Sequence, residues 1–276
     1  SVWDKFQISL YSYEKTYGSG VLKAIITEYG LDMPFRSSEA SIPYEITEED
    51  VDIIFLNCAY RLSFLDKVNI VTQRIYCLYK GLGIADDIRE MDIDGVSGGV
   101  SGRTADEKTL WIFFEGKSFS LSFLRFGSER ELERICHNIY RYNQPGHLSR
   151  NRGYIVNDMN DHSRVVVARP PFSESWVFFV RKFNKNAYKS IYDLFRQENS
   201  ELITALMGAL IKGCRTCAVT GTQGSGKTTL LMSLIEFINP GYNIRVQELS
   251  FELHLRDIYP KRNIVTFRET DFISGQ

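Results

Sequence analysis

The sequence has almost no excess charge of either sign: 33 lysines and arginines stand against 34 aspartates and glutamates, for a net charge of −1. A protein that attracts nucleic acid or an anionic membrane through its overall charge would be strongly basic. The global charge therefore indicates neither partner. The length of 276 residues predicts two domains.

Long hydrophobic runs are also missing. The longest run, at 203–211, contains Thr204 and is far shorter than the roughly 20 residues that a membrane-spanning helix needs. No signal-peptide pattern opens the sequence. We therefore expect that any membrane role of this chain is peripheral.

Cysteine is sparse, with five residues at irregular spacing. An odd number without a pairing pattern predicts reduced thiols and a cytoplasmic setting. Cys214 and Cys217 form a Cys-x-x-Cys pair, but no second Cys/His pair lies at zinc-site spacing. We expect these two side chains to pack in a core, on opposite faces of an extended segment.

One motif is far more specific than these global features. Residues 221–228 read Gly-Thr-Gln-Gly-Ser-Gly-Lys-Thr, which has the spacing Gly-x-x-x-x-Gly-Lys-Thr of a phosphate-binding loop. The apolar run 217–219 precedes it and the amphipathic run 229–238 follows it, which predicts strand, loop and helix. A plain Gly/Ser turn before a helix is the alternative, and it does not require the Lys-Thr pair.

The residue types of this loop explain how it would bind a nucleotide. Glycines let the main chain approach an anion closely, and inward N–H groups with the positive end of the next helix attract phosphate. Lys227 is predicted to reach the β- and γ-phosphates of ATP, and the hydroxyl of Thr228 to bind Mg²⁺. The predicted nucleotide-binding residues are Gly221, Thr222, Gln223, Gly224, Ser225, Gly226, Lys227, Thr228 and Thr229.

The first part of the chain, 1–80, is interpreted as an N-terminal helical region. Thr47 begins a capping sequence, and apolar residues at helical spacing over 68–78 end at Gly81, a natural helix terminator.

An α+β domain is predicted over 81–183. Residues 119–123 alternate between apolar residues and serine and pair with 110–114 through a turn. Ser128 then opens a capping box ahead of a helix.

Two further strands are predicted at 164–168 and 176–181. The glycine-rich stretch 95–102 has no Lys-Thr after it and is interpreted as a loop.

The remainder is divided into a polar hinge at 184–190 and a nucleotide-binding domain at 191–276. Strands at 244–248 and 263–267 alternate with helices, which predicts a parallel sheet.

Several motifs together carry a resemblance to a known family. They are Gly81-Leu-Gly83, Asp161-His-Ser-Arg164-Val165, Pro170-Pro171, Val180-Arg181-Lys182-Phe183, the phosphate loop with Thr229-Leu230-Leu231, and Gln247-Glu248 followed by Glu252-Leu253. Their order and spacing resemble the type II/type IV secretion ATPase superfamily, which comprises pilus-assembly and secretion motors. The tight-adherence pilus branch is the most similar.

The resemblance implies a cytoplasmic, hexameric motor that acts on an integral-membrane platform at the inner membrane. It implies an α/β fold overall, in which a small PAS-like α+β domain hinges over a RecA-like ATPase domain. ATP and Mg²⁺ would lie in the cleft between these domains.

The resemblance also implies roles for three residues outside the loop. Arg164 and Arg181 match positions that present arginines to the nucleotide, and a salt bridge to a local carboxylate is the alternative. Glu248 matches the residue that polarises the attacking water or holds Mg²⁺ through a water, and a solvated acidic turn is its alternative. The family usually has Glu-Asp where this chain has Glu248-Leu249, which argues against full hydrolytic activity.

A RecA-like core contains more strands than the residues after Thr228 provide. We therefore expect this domain to be incomplete, with weak nucleotide binding and little hydrolysis. Two other functions remain open: a nucleotide-binding scaffold without turnover, and a kinase with the same loop.

Overall fold

The computed structural model describes residues 1–36, 42–58, 63–102, 107–142, 146–182, 190–195, 198–222, 225–248 and 251–268. The chain divides into two compact units, Ser1–Phe183 and Asn184–Gln276. Within the described ranges, every helix falls short of the length and apolarity that a bilayer span requires.

The first unit combines helices with a mixed sheet. Its helices are α1 (Val2–Tyr17), α2 (Val21–Glu28), α3 (Glu48–Asn57), α4 (Phe64–Tyr79), α5 (Asp86–Glu90) and α6 (Glu129–Tyr140). Its strands are β1 (Glu45–Ile46), β2 (Gly95–Gly98), β3 (Thr109–Phe114), β4 (Lys117–Arg125), β5 (Tyr154–Asp158), β6 (Arg164–Ala168) and β7 (Val177–Arg181).

These strands form one sheet in the order β1-β4-β3-β2-β7-β6-β5. β1 pairs in parallel with β4, and all other neighbours are antiparallel. The predicted hairpin of β3 and β4 is confirmed, with Phe114 opposite Lys117. The two strands predicted on either side of Pro170-Pro171 are confirmed as β6 and β7.

The interpretation of 95–102 as a loop is wrong for its first four residues, which form β2 between β3 and β7. The glycines reflect crowding at the centre of the sheet. A Cβ atom at Gly98 would lie 2.5 Å from ring atoms of both Phe126 and Phe178. A glycine-rich strand shows no alternation of side chains in the sequence. Neighbouring strands and side chains of the same sheet occupy the space that its own side chains would need.

Both predicted helix starts in this unit are confirmed. The Thr47 hydroxyl accepts the N–H of Asp50, whose carboxylate accepts the N–H of Thr47 in return. The Ser128 hydroxyl accepts the N–H of Glu131 at 3.2 Å and opens α6, whose apolar side is buried against the sheet.

Helices and sheet share one hydrophobic core. Leu22 and Ile54 from the helices that precede residue 81 lie in the same cluster as Ile112, Ile135 and Val167. The described residues of 1–80 therefore pack with the α+β elements and do not form a separate core.

Helix α4 is an exception to this packing. Its predicted apolar positions Val68, Val71, Ile75 and Leu78 are all exposed, and its buried residues are Asp66 and Cys77. The helical prediction is confirmed, but the apolar side of α4 does not face the core.

The second unit consists of α7 (Ile191–Leu194), α8 (Ser200–Lys212), α9 (Lys227–Leu234), β8 (Ile244–Glu248), α10 (Leu255–Ile258) and β9 (Ile264–Arg268). β8 and β9 pair in parallel, as predicted, with Ile244 opposite Ile264. The predicted hinge, 184–190, lies outside the described residues except for Ser190. Together the two units confirm the predicted mixed α/β fold class.

Candidate phosphate-binding site

The phosphate-binding motif leads directly into helix α9, which begins at Lys227 as predicted. Gly226 precedes the helix with φ 85°, a left-handed conformation that residues with a Cβ atom rarely adopt. The first N–H groups of α9 therefore face the loop. Gln223 and Gly224 lie outside the described residues.

The described part of the loop folds back over the side chain of Lys227. The Lys227 ammonium donates a hydrogen bond to the carbonyl oxygen of Thr222 at 2.6 Å. The N–H of Ser225 donates to the same carbonyl at 3.3 Å. A Cβ atom on Gly221 would lie 2.6 Å from the Ser225 hydroxyl oxygen, so the loop has little room for a larger residue there.

A hollow of about 480 Å³ opens beside this loop. Its described lining is Leu194, Phe195, Val219, Thr220, Ser225, Gly226, Lys227, Thr229 and Leu230. Lys227 is the charged member of that set, so the hollow is suited to an anion. Its volume lies in the range of small-molecule sites, and it combines a cation with backbone N–H groups at a helix start.

The two threonines after Lys227 differ in their surroundings. Thr228 is exposed, and Thr229 is half-buried with its carbonyl accepting the Ser233 hydroxyl at 2.9 Å. An accessible hydroxyl beside a phosphate site suits Mg²⁺, which takes one or two protein oxygens and completes its shell with water and phosphate oxygens. The residues present thus fit a Mg²⁺-nucleotide.

Glu248 ends β8 and holds the following chain segment. One carboxylate oxygen, Oε1, accepts the N–H groups of Glu252 and Leu253, both at 2.9 Å. The other oxygen, Oε2, is buried and has no hydrogen-bond partner among the described residues. A buried carboxylate oxygen without a donor is costly, so this atom is the available acceptor of the side chain.

Arg164 and Arg181 lie opposite each other on neighbouring strands of the first unit. Cross-strand partners point to the same face of a sheet. The Arg164 Nε atom lies 3.5 Å from Asp158 Oδ1, which is the local carboxylate pairing considered as the alternative. Arg181 is exposed, and it forms no ion pair with a described residue.

The predicted strand ahead of the loop is wrong. Residues 215–220 form no strand, and nothing in the described sheet of β8 and β9 pairs with them. Cys214 and Cys217 are consequently exposed, so the prediction that they pack in a core is also wrong. A strand is held by its neighbours, and composition alone does not supply them.

No protein family and no curated protein matches the chain. Solved structures do match. The chain is similar to the pilus retraction motor PilT with bound ADP, at 16% identity and a TM-score of 0.45, over 69% of this chain and 51% of that one.

Two further solved structures are similar. The VirB11 ATPase of the Brucella suis type IV secretion system matches at 16% identity and a TM-score of 0.26, over 73% of this chain and 64% of that one. The Legionella pneumophila ATPase DotB matches at 13% identity and a TM-score of 0.37, over 76% and 52%.

None of these three matches distinguishes the tight-adherence branch that the motifs resemble. The chain spans less than two thirds of the length of each.

Proposed function

We propose that this chain is an ATP-binding subunit of a motor that hydrolyses ATP to drive pilus assembly or protein secretion. The observation that carries the proposal is the hollow at the start of α9, with the Lys227 ammonium as its charged group. The motifs that resemble secretion ATPases support the choice of a motor.

The described residues suggest how the nucleotide is held. The Lys227 ammonium exchanges the Thr222 carbonyl for phosphate oxygens, and the N–H groups at the start of α9 donate to the same phosphates. The Thr228 hydroxyl binds Mg²⁺, which neutralises charge on the phosphates when bound.

Three residues are proposed to act on the γ-phosphate or on the attacking water. Glu248 has its Oε2 atom left to accept a proton or a water hydrogen bond. Arg164 and Arg181 supply guanidinium groups suited to phosphate oxygens.

The wider setting follows from the same resemblance. We propose a homo-oligomer, a hexamer by analogy, that works in the cytoplasm at the inner membrane through platform proteins. No nucleic-acid partner is expected, because the net charge is −1.

Calorimetry with ATP and Mg²⁺ tests the central point. Lys227→Ala is expected to weaken ATP binding roughly tenfold or more, because a charge-assisted contact to phosphate is lost. Lys261→Ala is the matched control, since Lys261 is an exposed lysine of the same unit outside the hollow. Equal affinities of the two variants, or no ATP binding by the unmodified chain, would contradict the proposal.

A scaffold that binds ATP without turnover is the second candidate. The observation in its favour is that Glu248 Oε1 already accepts two backbone N–H groups, as a structural carboxylate does. Phosphate release separates the two functions. If the chain is a motor, Glu248→Gln and Arg181→Ala each abolish phosphate release and leave the affinity for ATP unchanged. If the chain is a scaffold, neither the unmodified chain nor any variant releases phosphate.

A further inference from the structure

Helix α4 exposes almost its entire apolar side to solvent. Phe64, Ile75 and Tyr79 are 83%, 62% and 73% exposed, respectively. The exposed large apolar residues of this helix are Phe64, Leu65, Val68, Val71, Ile75, Tyr76, Leu78 and Tyr79. Isolated exposed apolar residues are common, but a contiguous set of this size marks an interaction surface.

The apolar residues of α4 form one broad face. At 100° per residue these eight positions, together with Thr72, cover an arc of about 160° that contains no charged residue. A seam for a single partner helix is narrower, because it uses only the a and d positions of a heptad. The width of the arc therefore favours a surface that covers the helix along its whole side.

Polar contacts on the opposite side fix this orientation. The Tyr11 hydroxyl donates to the buried Asp66 carboxylate at 2.5 Å, and Arg74 pairs with Asp4 while lying 4.6 Å from the centre of the Trp3 ring. These contacts attach the first half of α4 and its middle to α1.

The end of α4 is attached to α6. The Arg134 guanidinium donates to the Cys77 carbonyl at 3.1 Å, and the Asn138 amide donates to the Lys80 carbonyl at 3.3 Å. The helix is thus anchored along its length, and its apolar face cannot turn inward without breaking these contacts.

The charges at the edges of the apolar face are positive. Lys67 borders one edge of the arc. Lys80, the capping residue of the helix, lies just beyond Asn69 at the other edge with its ammonium 5.1 Å from the centre of the Tyr79 ring, and both lysines are exposed. Neither forms an ion pair with any residue that the structure describes. The acidic residue of the helix, Asp66, is buried on the opposite side. This face is therefore complementary to a surface that is apolar inside and anionic outside.

We propose that α4 docks flat on an anionic phospholipid surface. The apolar face enters the boundary between headgroups and acyl chains, where Tyr76, at the edge of the arc, keeps its hydroxyl near water, and Lys67 and Lys80 lie at the level of the lipid phosphates. The proposal is independent of the nucleotide site, because it uses only residues of the first unit.

Vesicle flotation with the full chain tests the proposal. The chain is expected to float with vesicles of phosphatidylcholine and phosphatidylglycerol and to float less with phosphatidylcholine alone. Val71→Glu combined with Ile75→Glu is expected to weaken binding more than about tenfold, because two charges enter the apolar layer. Met33→Glu is the matched control, since Met33 is 64% exposed in the same unit but lies outside α4.

A second pair of variants tests the role of charge. Lys67→Glu and Lys80→Glu are each expected to weaken binding to the anionic vesicles by roughly fivefold or more, while binding to phosphatidylcholine changes little. Circular dichroism checks that each variant is folded, and ATP affinity serves as an independent control.

Three outcomes would overturn the proposal. One is that the unmodified chain does not float with anionic vesicles. Another is that the double glutamate variant floats as well as Met33→Glu. The third is that the unmodified chain binds no vesicles but self-associates, and that the double glutamate variant no longer self-associates. This result would assign the face to a second copy of the chain.

Discussion

The two compact units bury their apolar residues to very different extents. In the first unit, helices and a seven-stranded sheet share one large core. In the second unit, the described core consists of Met232, Ile235, Ile244, Leu253, Leu255 and Ile264. The phosphate-binding loop belongs to the unit with the smaller core.

This difference matters because the free energy of folding comes mainly from buried apolar surface. Binding loops are commonly drawn from the less stable part of a protein, where local opening costs little. We infer that the first unit is the stable scaffold, and the proposed nucleotide would stabilise the second unit by binding to its folded form.

Both units also carry a helix with an exposed apolar side, but in different settings. Helix α4 keeps its apolar side outside the large core that the helices and the sheet of the first unit share. Helix α8 exposes Leu202 and Leu206 in a unit whose core, over the described residues, contains no residue of α8.

Tryptophan fluorescence separates the two units experimentally. Trp3, Trp111 and Trp176 all lie in the first unit, so their emission reports its unfolding alone.

The largest expected effect comes from Phe178→Ala in the first unit. Phe178 is fully buried, and its ring packs against Phe126 with centroids 6.1 Å apart. Loss of the ring should lower the free energy of unfolding by about 3–5 kcal/mol. Urea unfolding followed by tryptophan fluorescence measures this loss.

The neighbouring Phe179→Ala is the control, because Phe179 points to the opposite face of the same strand and is 43% exposed. If both substitutions shifted the unfolding midpoint equally, the assignment of the core to one face of the sheet would be wrong.

An intermediate effect is expected from Gly98→Ala. The added methyl group would lie 2.5 Å from the rings of Phe126 and Phe178, which must move to accept it. Such overpacking should cost about 1–3 kcal/mol in the same fluorescence assay. Gly20→Ala has open space around its Cβ position and a φ of −79°, so it should change stability little. A neutral Gly98→Ala would reject the close approach of β2 to its neighbours.

The smallest effect is expected from Leu206→Glu on α8. Because this side chain is 60% exposed, the stability of the second unit should change by no more than about 0.5 kcal/mol. Thr204→Glu on the same helix is the contrast, since Thr204 is buried and a charge there should open the helix. Hydrogen exchange of α8 measures both changes. Strong loss of hydrogen-exchange protection in Leu206→Glu would show that the apolar side of α8 is buried in solution. The two units would then differ less in how much apolar surface they bury.

Local signals in the sequence were sufficient for many elements. The hydroxyls of Thr47 and Ser128 mark helix starts because each satisfies a backbone N–H of the first turn. The strict alternation in β4 and the Gly-Lys-Thr string at the start of α9 act over similarly short distances, so both elements were predicted correctly.

Elements that depend on distant neighbours were not predicted. Gly95–Gly98 form a central strand because β3 and β7 pair with them, and nothing in four residues with two glycines indicates those partners. The segment 215–220 has a strand-like composition, but none of the described strands lies beside it.

The sequence by itself determined the residue types and spacing of the phosphate loop, the helix caps and the alternation of the hairpin, because each depends on atoms a few residues apart. Only the tertiary structure decided which helix faces are buried, that Arg164 lies beside Asp158, and that Glu248 holds the N–H groups of Glu252 and Leu253. Those outcomes depend on which surfaces compete for the same core and the same donors, and that competition is settled only when the whole chain is folded.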